Sequence, residues 1–250
     1  MEERKHIVIL AAGDFPTHPI PLKALQEADF VVCCDSAYSQ LITHHSSLIT
    51  DFVVIGDGDS LTEETKRELG DRWIHVAEQD YNDLHKAMAW IMSEVGGMRY
   101  GAQGVADSSD FRPPTSDLKI TILGATGKRE DHTLGNISYL ATFAEEYPGI
   151  DLEMLTDYGR FTIITHHSSF ITHHSSLITQ TFPSFPHQQV SLFTLDPRTA
   201  VSSTGLQWPL IDAHLSPWWQ GTLNAALADT FTITTDGPTI VFQTYDAKLL

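Results

Sequence analysis

Short apolar runs alternate with amphipathic stretches from the start of the chain to about residue 155. The apolar runs are rich in valine and isoleucine, which is typical of strands buried on both faces of a sheet. Strands that alternate with helices in this way indicate a mostly parallel sheet covered by helices. The predicted strands are residues 6–12, 30–34, 52–55, 73–77, 119–123 and 152–155.

Apolar side chains recur at intervals of three or four residues between several of these strands. This spacing predicts one helix over residues 83–95, whose apolar residues fall on a single stripe. Ser60 and Glu63 match a capping box, which predicts that another helix begins there. A further helix is predicted from the stripe of Leu134, Ile137, Ala141 and Ala144.

Helical periodicity disappears after about residue 160, and strand-like runs replace it at residues 189–195, 230–235 and 239–244. Asp236 and Gly237 separate the last two runs, and this dipeptide predicts a tight hairpin between them. We therefore predict two domains, an α/β domain over residues 1–158 and an all-β domain over residues 159–250.

The composition limits the classes of partner. Apolar residues make up 42% of the 250, enough for a folded core, and 32 acidic against 15 basic residues give a net charge of −17. Such a charge repels a nucleic-acid backbone. No apolar stretch has the length of a membrane span or signal peptide, and adjacent Cys33 and Cys34 suggest no disulfide framework. A cytoplasmic protein that binds neither nucleic acid nor membrane is expected.

A short phrase is repeated, as ITHHSSLIT at residues 42–50 and ITHHSSFITHHSSLIT at residues 164–179. Its histidine pairs lack cysteine or carboxylate at the usual ligand spacing, so we do not predict a zinc site there. Residues 99–117 are rich in glycine, serine, aspartate and proline, and a mobile surface loop is predicted.

Acidic residues follow the predicted strands, at the sheet edge where ligands gather in open α/β folds. The second strand ends at Asp35, and the third leads into Asp57 and Asp59 on a glycine-flanked turn. Paired carboxylates repel each other unless a proton or cation intervenes, and oxygen ligands suit Mg²⁺. With Asp83 and Asp131 expected at the same edge, the pattern favours a magnesium site over a solvated acidic turn.

A glycine turn follows the fifth strand, at residues 124–127 (GATG). Its backbone N–H groups could approach a phosphate closely, and two of the chain's few cations, Lys128 and Arg129, come next. His132 and Asn136 add neutral donors. The turn is not a Walker A loop, because the required glycine-to-lysine spacing is absent.

Taken in order, these motifs resemble the thiamine pyrophosphokinase family. The matching segments are residues 55–61 (IGDGDSL), 79–87 (QDYNDLHKA), 123–137 (LGATGKREDHTLGNI), 203–210 (STGLQWPL) and 221–224 (GTLN). The resemblance implies an N-terminal α/β catalytic domain, a C-terminal β-sandwich and a homodimer with active sites near the subunit interface. It implies Mg²⁺ as the metal and ATP and thiamine as substrates.

The resemblance also implies roles for individual residues. The magnesium ligands and catalytic carboxylates would be Asp57, Asp59, Asp83 and Asp131, with Arg129 as the phosphate clamp. The nucleotide would be bound by Gln79, Lys86, Thr126, Gly127, Lys128, His132 and Asn136. Thiamine would be bound by Ser203, Trp208 and Asn224. Ser36, Asn82 and Leu223 stand where the family usually has other residues.

The implied reaction is attack of the thiamine hydroxyl on the β-phosphorus of ATP, with AMP as leaving group and Asp83 or Asp59 as the proton acceptor. Two other functions stay open at this point. The Asp-x-Asp pair could serve a metal-dependent phosphatase through an aspartyl-phosphate. A non-catalytic protein that binds thiamine or nucleotide would keep the same motifs without turnover.

Overall fold

The computed structural model describes residues 5–45, 51–96, 118–165 and 177–247. The chain forms two compact units, Met1–Tyr139 and Leu140–Leu250. The domain boundary between residues 158 and 159 stays a prediction. The loop predicted at residues 99–117 lies outside the described residues, as do two of the three histidine pairs of the repeated phrase.

The first unit contains a five-stranded parallel sheet in the order β4-β3-β2-β1-β5. In its register Leu10 pairs with both Cys33 and Leu123, so the carboxyl ends of β1, β2 and β5 lie at one edge. The central strands are buried on both faces, as their continuous apolar runs predict. The strands are β1 (Lys5–Leu10), β2 (Phe30–Cys34), β3 (Phe52–Gly56), β4 (Trp73–His75) and β5 (Leu118–Leu123).

The α-helices in the described part of the chain are α1 (Pro19–Gln26), α2 (Tyr38–His45), α3 (Glu63–Leu69), α4 (Asp83–Gly96) and α5 (Glu130–Glu146). Helix α4 buries the predicted stripe, with Leu84, Met88 and Ile91 almost inaccessible. Leu134 of α5 is 55% exposed, whereas Ala141 and Ala144 of the predicted stripe are buried, together with Leu140 and Phe143, so the stripe is buried only in the second half of the helix. Among the described helices, none combines the length and apolar character needed to span a membrane.

The capping box predicted at Ser60 is wrong. Helix α3 is capped two residues later by Thr62, whose side chain accepts a hydrogen bond from the backbone of Thr65. Ser60 instead donates from Oγ to Asp59. Both positions carry a hydroxyl, but only Thr62 directly precedes the helical turn whose free N–H groups need an acceptor.

The second unit contains two antiparallel sheets. One has the strand order β12-β9-β14-β7-β6, and the other has the order β11-β10-β13-β8. The strands are β6 (Asp151–Leu155), β7 (Gly159–Ile164), β8 (Ile178–Pro183), β9 (Gln188–Thr194), β10 (Ala200–Thr204), β11 (Ala213–His214), β12 (Asn224–Ala225), β13 (Thr230–Thr235) and β14 (Thr239–Ala247).

Alternate residues of the two sheets meet in one buried cluster. Val190, Leu192 and Val241 come from the first sheet, and Val201 and Ile233 come from the second. Period-two burial is the pattern of two sheets that pack face to face. The predicted fold class, a mostly parallel α/β portion followed by a β-sandwich, is therefore confirmed.

The hairpin predicted at Asp236 and Gly237 is wrong, because β13 and β14 lie in different sheets. Neither residue has the positive φ that a two-residue hairpin turn requires. Asp236 instead binds Ala200 through two hydrogen bonds, one from each backbone N–H. The Thr235 hydroxyl bonds to Gly237 and Thr239, so polar side chains fix a crossing from one sheet to the other.

Candidate functional site

Three carboxylates converge at the carboxyl ends of β2 and β3. Oxygen atoms of Asp35, Asp57 and Asp59 lie within 4.8 Å of one another. Asp35 begins a short 3₁₀ turn after β2, and the glycine-flanked turn after β3 carries the other two. Asp57 and Asp59 are brought together as predicted. Asp35 was not among the predicted ligands, although its position at a strand end was a visible signal.

Asp35 is the buried member of this group. Its side chain accepts a hydrogen bond from the backbone N–H of Gly58 at 3.0 Å. Burial, followed by the negative charge of Asp83, raises the pKa of Asp35 to about 6. Burial and the neighbouring Asp83 disfavour the ionised form of Asp35, and a cation bound at this group would favour it.

Gln79 orients Asp57 from the loop that follows β4. Its Nε2 donates to Oδ2 of Asp57 at 2.7 Å, while the backbone N–H of Asp59 donates to Oδ1. These two bonds, the Gln79 bond foremost, lower the pKa of Asp57. Asp57 is therefore held as an ionised carboxylate beside the buried Asp35.

Helix α4 places Asp83 and Lys86 one turn apart. Nζ of Lys86 donates to Oδ1 of Asp83 at 3.2 Å, and the lysine side chain is only 3% exposed. Burial raises the pKa of Asp83, and the positive charge of Lys86 opposes that change. The charges of Asp57 and Asp59 also act on Asp83, so the four carboxylates and one buried ammonium form one electrostatic group.

Asn82 connects this acidic group to the glycine turn. Its Oδ1 accepts from the backbone N–H of His85 and caps α4, and its Nδ2 donates to Asn136. Asn136 in turn donates to the carbonyl of Ala125, inside the turn of residues 124–127. Because asparagine is a favourable N-cap residue, Asn82 supports the start of α4.

The glycine turn packs on the chain that follows β1. Gly13 and Asp14 donate their backbone N–H groups to the carbonyls of Gly124 and Thr126, at 2.6 and 2.9 Å. Nζ of Lys128 donates to the carbonyl of Ala12 at 2.6 Å. Lys128 is thus a brace between two turns, with its backbone in the left-handed region at φ 57°.

Arg129 and Asp131 form a separate, exposed ion pair. The guanidinium donates two hydrogen bonds to the Asp131 carboxylate, one of them 2.6 Å long, and this pairing lowers the pKa of Asp131. His132 beside them is also exposed, and Thr126 is half-buried. The three-carboxylate group does not include Asp131, so its role as a metal ligand stays a prediction.

The residues predicted to bind thiamine lie together in the second unit. Ser203 on β10 and Asn224 on β12 are buried and hydrogen-bonded to residues 205–210, the loop that carries Trp208. Trp208 itself is 57% exposed. Trp218 packs edge-on against Phe193, and Trp219 is largely exposed.

A magnesium ion prefers hard oxygen ligands. Carboxylate oxygens from two strand ends are hard ligands at the right spacing, and Asp57 is ionised by its hydrogen bonds. The buried charge at Asp35 is only partly compensated. The residues present therefore fit a divalent cation with oxygen preference.

A parallel sheet with carboxylates and a glycine turn at its carboxyl edge, followed in sequence by a β-sandwich, defines a two-part α/β protein. The family model described as the thiamin pyrophosphokinase catalytic domain matches residues 22–152. The model described as the thiamin pyrophosphokinase substrate-binding domain matches residues 170–242. The chain belongs to the thiamin pyrophosphokinase family.

Similar proteins from other organisms agree with this membership. Thiamine pyrophosphokinase 3 of Oryza sativa subsp. japonica is 27% identical over 205 residues, which is 79% of this chain and 64% of the relative. Thiamin pyrophosphokinase 1 of Caenorhabditis elegans is 25% identical over 119 residues, or 48% of this chain and 42% of the relative. The chain thus matches about two fifths to two thirds of the length of these relatives.

Solved structures share the fold. Thiamin pyrophosphokinase from Candida albicans superposes with a TM-score of 0.74 at 19% identity, covering 97% of this chain and 90% of that one. Thiamine pyrophosphokinase from Bacillus subtilis gives 0.68 at 20% identity, covering 97% and 100%. At these identities the likeness establishes the fold alone.

Proposed function

We propose that the chain transfers a pyrophosphoryl group from ATP to the hydroxyl of thiamine, giving thiamine diphosphate and AMP. One observation carries this proposal. Asp35, Asp57 and Asp59 converge at the strand ends of the domain that matches the catalytic model, where a metal-bound triphosphate would be held. Asp83 and Lys86 complete that group electrostatically.

The metal of this proposal is Mg²⁺, held by Asp57 and Asp59 with Asp35 behind them. Asp83 and Asp131 remain proposed ligands, and Asp131 would first have to leave Arg129. When bound, Mg²⁺ would supply positive charge for the phosphate oxygens of ATP. Lys86 would contribute a fixed positive charge from beneath the group, because its ammonium is already buried and oriented.

The nucleotide phosphates would bind at the glycine turn. Gly127 and Thr126 would offer backbone N–H groups. The exposed guanidinium of Arg129, just before α5, and His132 in the first turn of that helix would reach the phosphates. Gln79 and Asn136 would act mainly by holding Asp57 and Ala125 in place, since those are the groups to which they donate. Lys128 would brace the turn through its bond to Ala12.

The chain would assist the reaction by positioning and by accepting one proton. Asp59 is the exposed carboxylate of the group, and Asp83 is a partly exposed one whose pKa is raised, so each is a candidate to accept the proton of the attacking hydroxyl. The leaving group of the in-line displacement is AMP. Most of the rate enhancement would come from orientation and electrostatics.

Thiamine would bind in the second unit against Trp208. The indole is exposed, and its face attracts a cation such as the thiazolium ring. A homodimer is part of the proposal, supported by the exposed apolar side chains of Trp219, Leu223 and Leu227 on the same unit. Sedimentation equilibrium tests the dimer directly. A cytoplasmic location is proposed from the two buried free thiols, Cys33 and Cys34.

The decisive experiment follows AMP and thiamine diphosphate together after purified protein is mixed with ATP, Mg²⁺ and thiamine. Equal amounts of both products, lost in Asp57→Asn, are expected. Orthophosphate without thiamine diphosphate would indicate the phosphatase instead. Thiamine binding without AMP release would indicate a non-catalytic binding protein. Asp51→Asn, at an exposed position before β3, is the matched control and should retain turnover.

A further inference from the structure

The side-chain amide of Asn224 forms hydrogen bonds with the backbone of a neighbouring loop. Its Oδ1 accepts from the backbone N–H of Trp208 at 3.1 Å and from that of Ala225 at 2.9 Å. Its Nδ2 donates to the carbonyl of Trp208 at 2.7 Å. Both lone pairs of the amide oxygen and one of the two amide hydrogens are therefore already used. The backbone N–H and the backbone carbonyl of Trp208 are therefore both hydrogen-bonded to Asn224.

Ser203 holds the other end of the same loop. Its Oγ accepts from the backbone N–H of Leu210 at 2.9 Å, and its own backbone N–H donates to the Leu210 carbonyl at 3.0 Å. Like Asn224, Ser203 is more than nine-tenths buried. The loop of residues 205–210 is thus held at two points. Ser203 binds its backbone at Leu210, and Asn224 binds it at Trp208.

The indole of Trp208 is the one aromatic group of residues 205–210, and it is 57% exposed. The adjoining backbone is paired as well, since Gln207 donates to the carbonyl of Ala225 at 2.8 Å and Leu227 donates to that of Gly205 at 2.9 Å. The loop is therefore rigid in its backbone while it exposes one large aromatic side chain. A rigid, preorganised aromatic surface binds a flat ligand at a lower cost in conformational entropy than a mobile one.

We propose that Ser203 and Asn224 are positioning residues, which fix the direction in which Trp208 is presented and affect the substrate only through Trp208. This inference rests on the proposed function for the identity of the ligand, thiamine. The family resemblance implied that these two side chains contact thiamine directly. The inference gives them an indirect role instead.

A double-mutant cycle with Trp208→Ala separates the two roles. Asn224→Ala is expected to raise the KM for thiamine about tenfold, the equivalent of one or two lost hydrogen bonds, and to leave the KM for ATP within twofold. In the Trp208→Ala background the same substitution should change the thiamine KM less than twofold, because the indole through which Asn224 affects thiamine is absent. A tenfold rise in both backgrounds would overturn the proposal, since it would show direct contact.

Fluorine NMR of protein labelled with 5-fluorotryptophan gives a second readout that needs no substrate. The Trp208 resonance, assigned by its loss in Trp208→Phe, should shift or broaden in Asn224→Ala and Ser203→Ala, while those of Trp73 and Trp90 in the first unit stay in place. An unchanged Trp208 resonance in both variants would refute the positioning role. Because the spectra are recorded without ligand, this test stands even if thiamine diphosphate is never formed.

Ser202→Ala is the matched control. Ser202 is the preceding residue of β10, and its Oγ likewise accepts a backbone N–H, that of Asp212 at 3.0 Å, outside the loop of residues 205–210. Its removal should leave the Trp208 resonance and the thiamine KM unchanged. If Asn224→Ala fails to fold, Ser203→Ala compared with Ser202→Ala provides the same contrast, and equal effects of the two would contradict the proposal.

Discussion

Nζ of Lys86 lies 3.2 Å from Oδ1 of Asp83, and the ammonium is buried under a group of carboxylates that includes Asp35, Asp57 and Asp59. A buried ion pair of this kind contributes little by itself, but removing one partner leaves an uncompensated charge. The pair therefore constrains which substitutions the acidic group tolerates.

Lys86→Met is expected to lower the free energy of unfolding by about 2–4 kcal/mol, because Asp83 loses its counter-charge while remaining partly buried. Urea unfolding measures the change. Asp83→Asn combined with Lys86→Met should recover more than half of it. Lys23→Met, which breaks a largely exposed pair with Glu27 in α1, should cost less than about 0.5 kcal/mol. Equal losses in the two single variants would contradict this account.

Asp35→Asn should stabilise the metal-free protein, and more so as the pH rises. Burial raises the pKa of Asp35 from 3.8 to about 6. A carboxyl with a raised folded-state pKa favours folding only at low pH, and its contribution is lost as the pH rises through 6. In EDTA, the gain from Asp35→Asn should thus be about 2 kcal/mol larger at pH 8 than at pH 4.5. Urea unfolding at both pH values measures it, and a pH-independent gain would refute the assignment.

Gly127→Ala should destabilise the first unit by about 1–3 kcal/mol. Gly127 has φ 80°, and an added methyl group would collide with the carboxylate of Asp14. Adding Asp14→Ala should restore part of the loss by removing the collision. Gly135→Ala is the control, because a methyl there meets nothing within 4 Å and a helical alanine gains up to about 1 kcal/mol over glycine. Thermal unfolding should therefore separate the two glycines by the sign of their effects.

Leu223→Asn should raise the free energy of unfolding by about 0.5–1 kcal/mol. Leu223 adopts φ 66°, which asparagine tolerates better than leucine, and its side chain is 70% exposed, so little packing is lost. Leu227→Asn provides the comparison, since Leu227 is similarly exposed with an ordinary φ. An increase in the free energy of unfolding in both variants would show that the replacement of an exposed leucine by a polar residue, rather than the relief of backbone strain, was responsible.

The order of strands and helices in the first unit could be predicted because each strand is a continuous apolar run and α4 carries a clean stripe. The predicted and observed bounds of β2 are identical, and those of β3 and β5 differ by one residue. The convergence of Asp57 and Asp59 followed from the rule that polar groups gather at strand ends. Asp35 obeys the same rule, but its burial depends on the loop after β3, whose Gly58 donates to it across the sheet edge.

The hairpin prediction failed because a tertiary contact overrides the local signal. Asp236 and Gly237 have hairpin chemistry, yet pairing with Ala200 takes the chain into another sheet. The repeated phrase makes the same point. Ile42 lies in helix α2, whereas Ile164, which starts another copy of the phrase, ends strand β7. The local preference of an isoleucine is too weak to choose between the two states.

The segment Thr235–Thr239, which connects the two sheets, also constrains how the second unit unfolds. Strand β13 is paired on both sides within one sheet, and β14 is paired on both sides within the other. Only three residues, tied by the hydroxyls of Thr235 and Thr239, join the two strands. Neither sheet can therefore unravel while the other keeps its central strand. Amide protons of β13 and β14 should exchange with solvent at the same rate, as one cooperative unit.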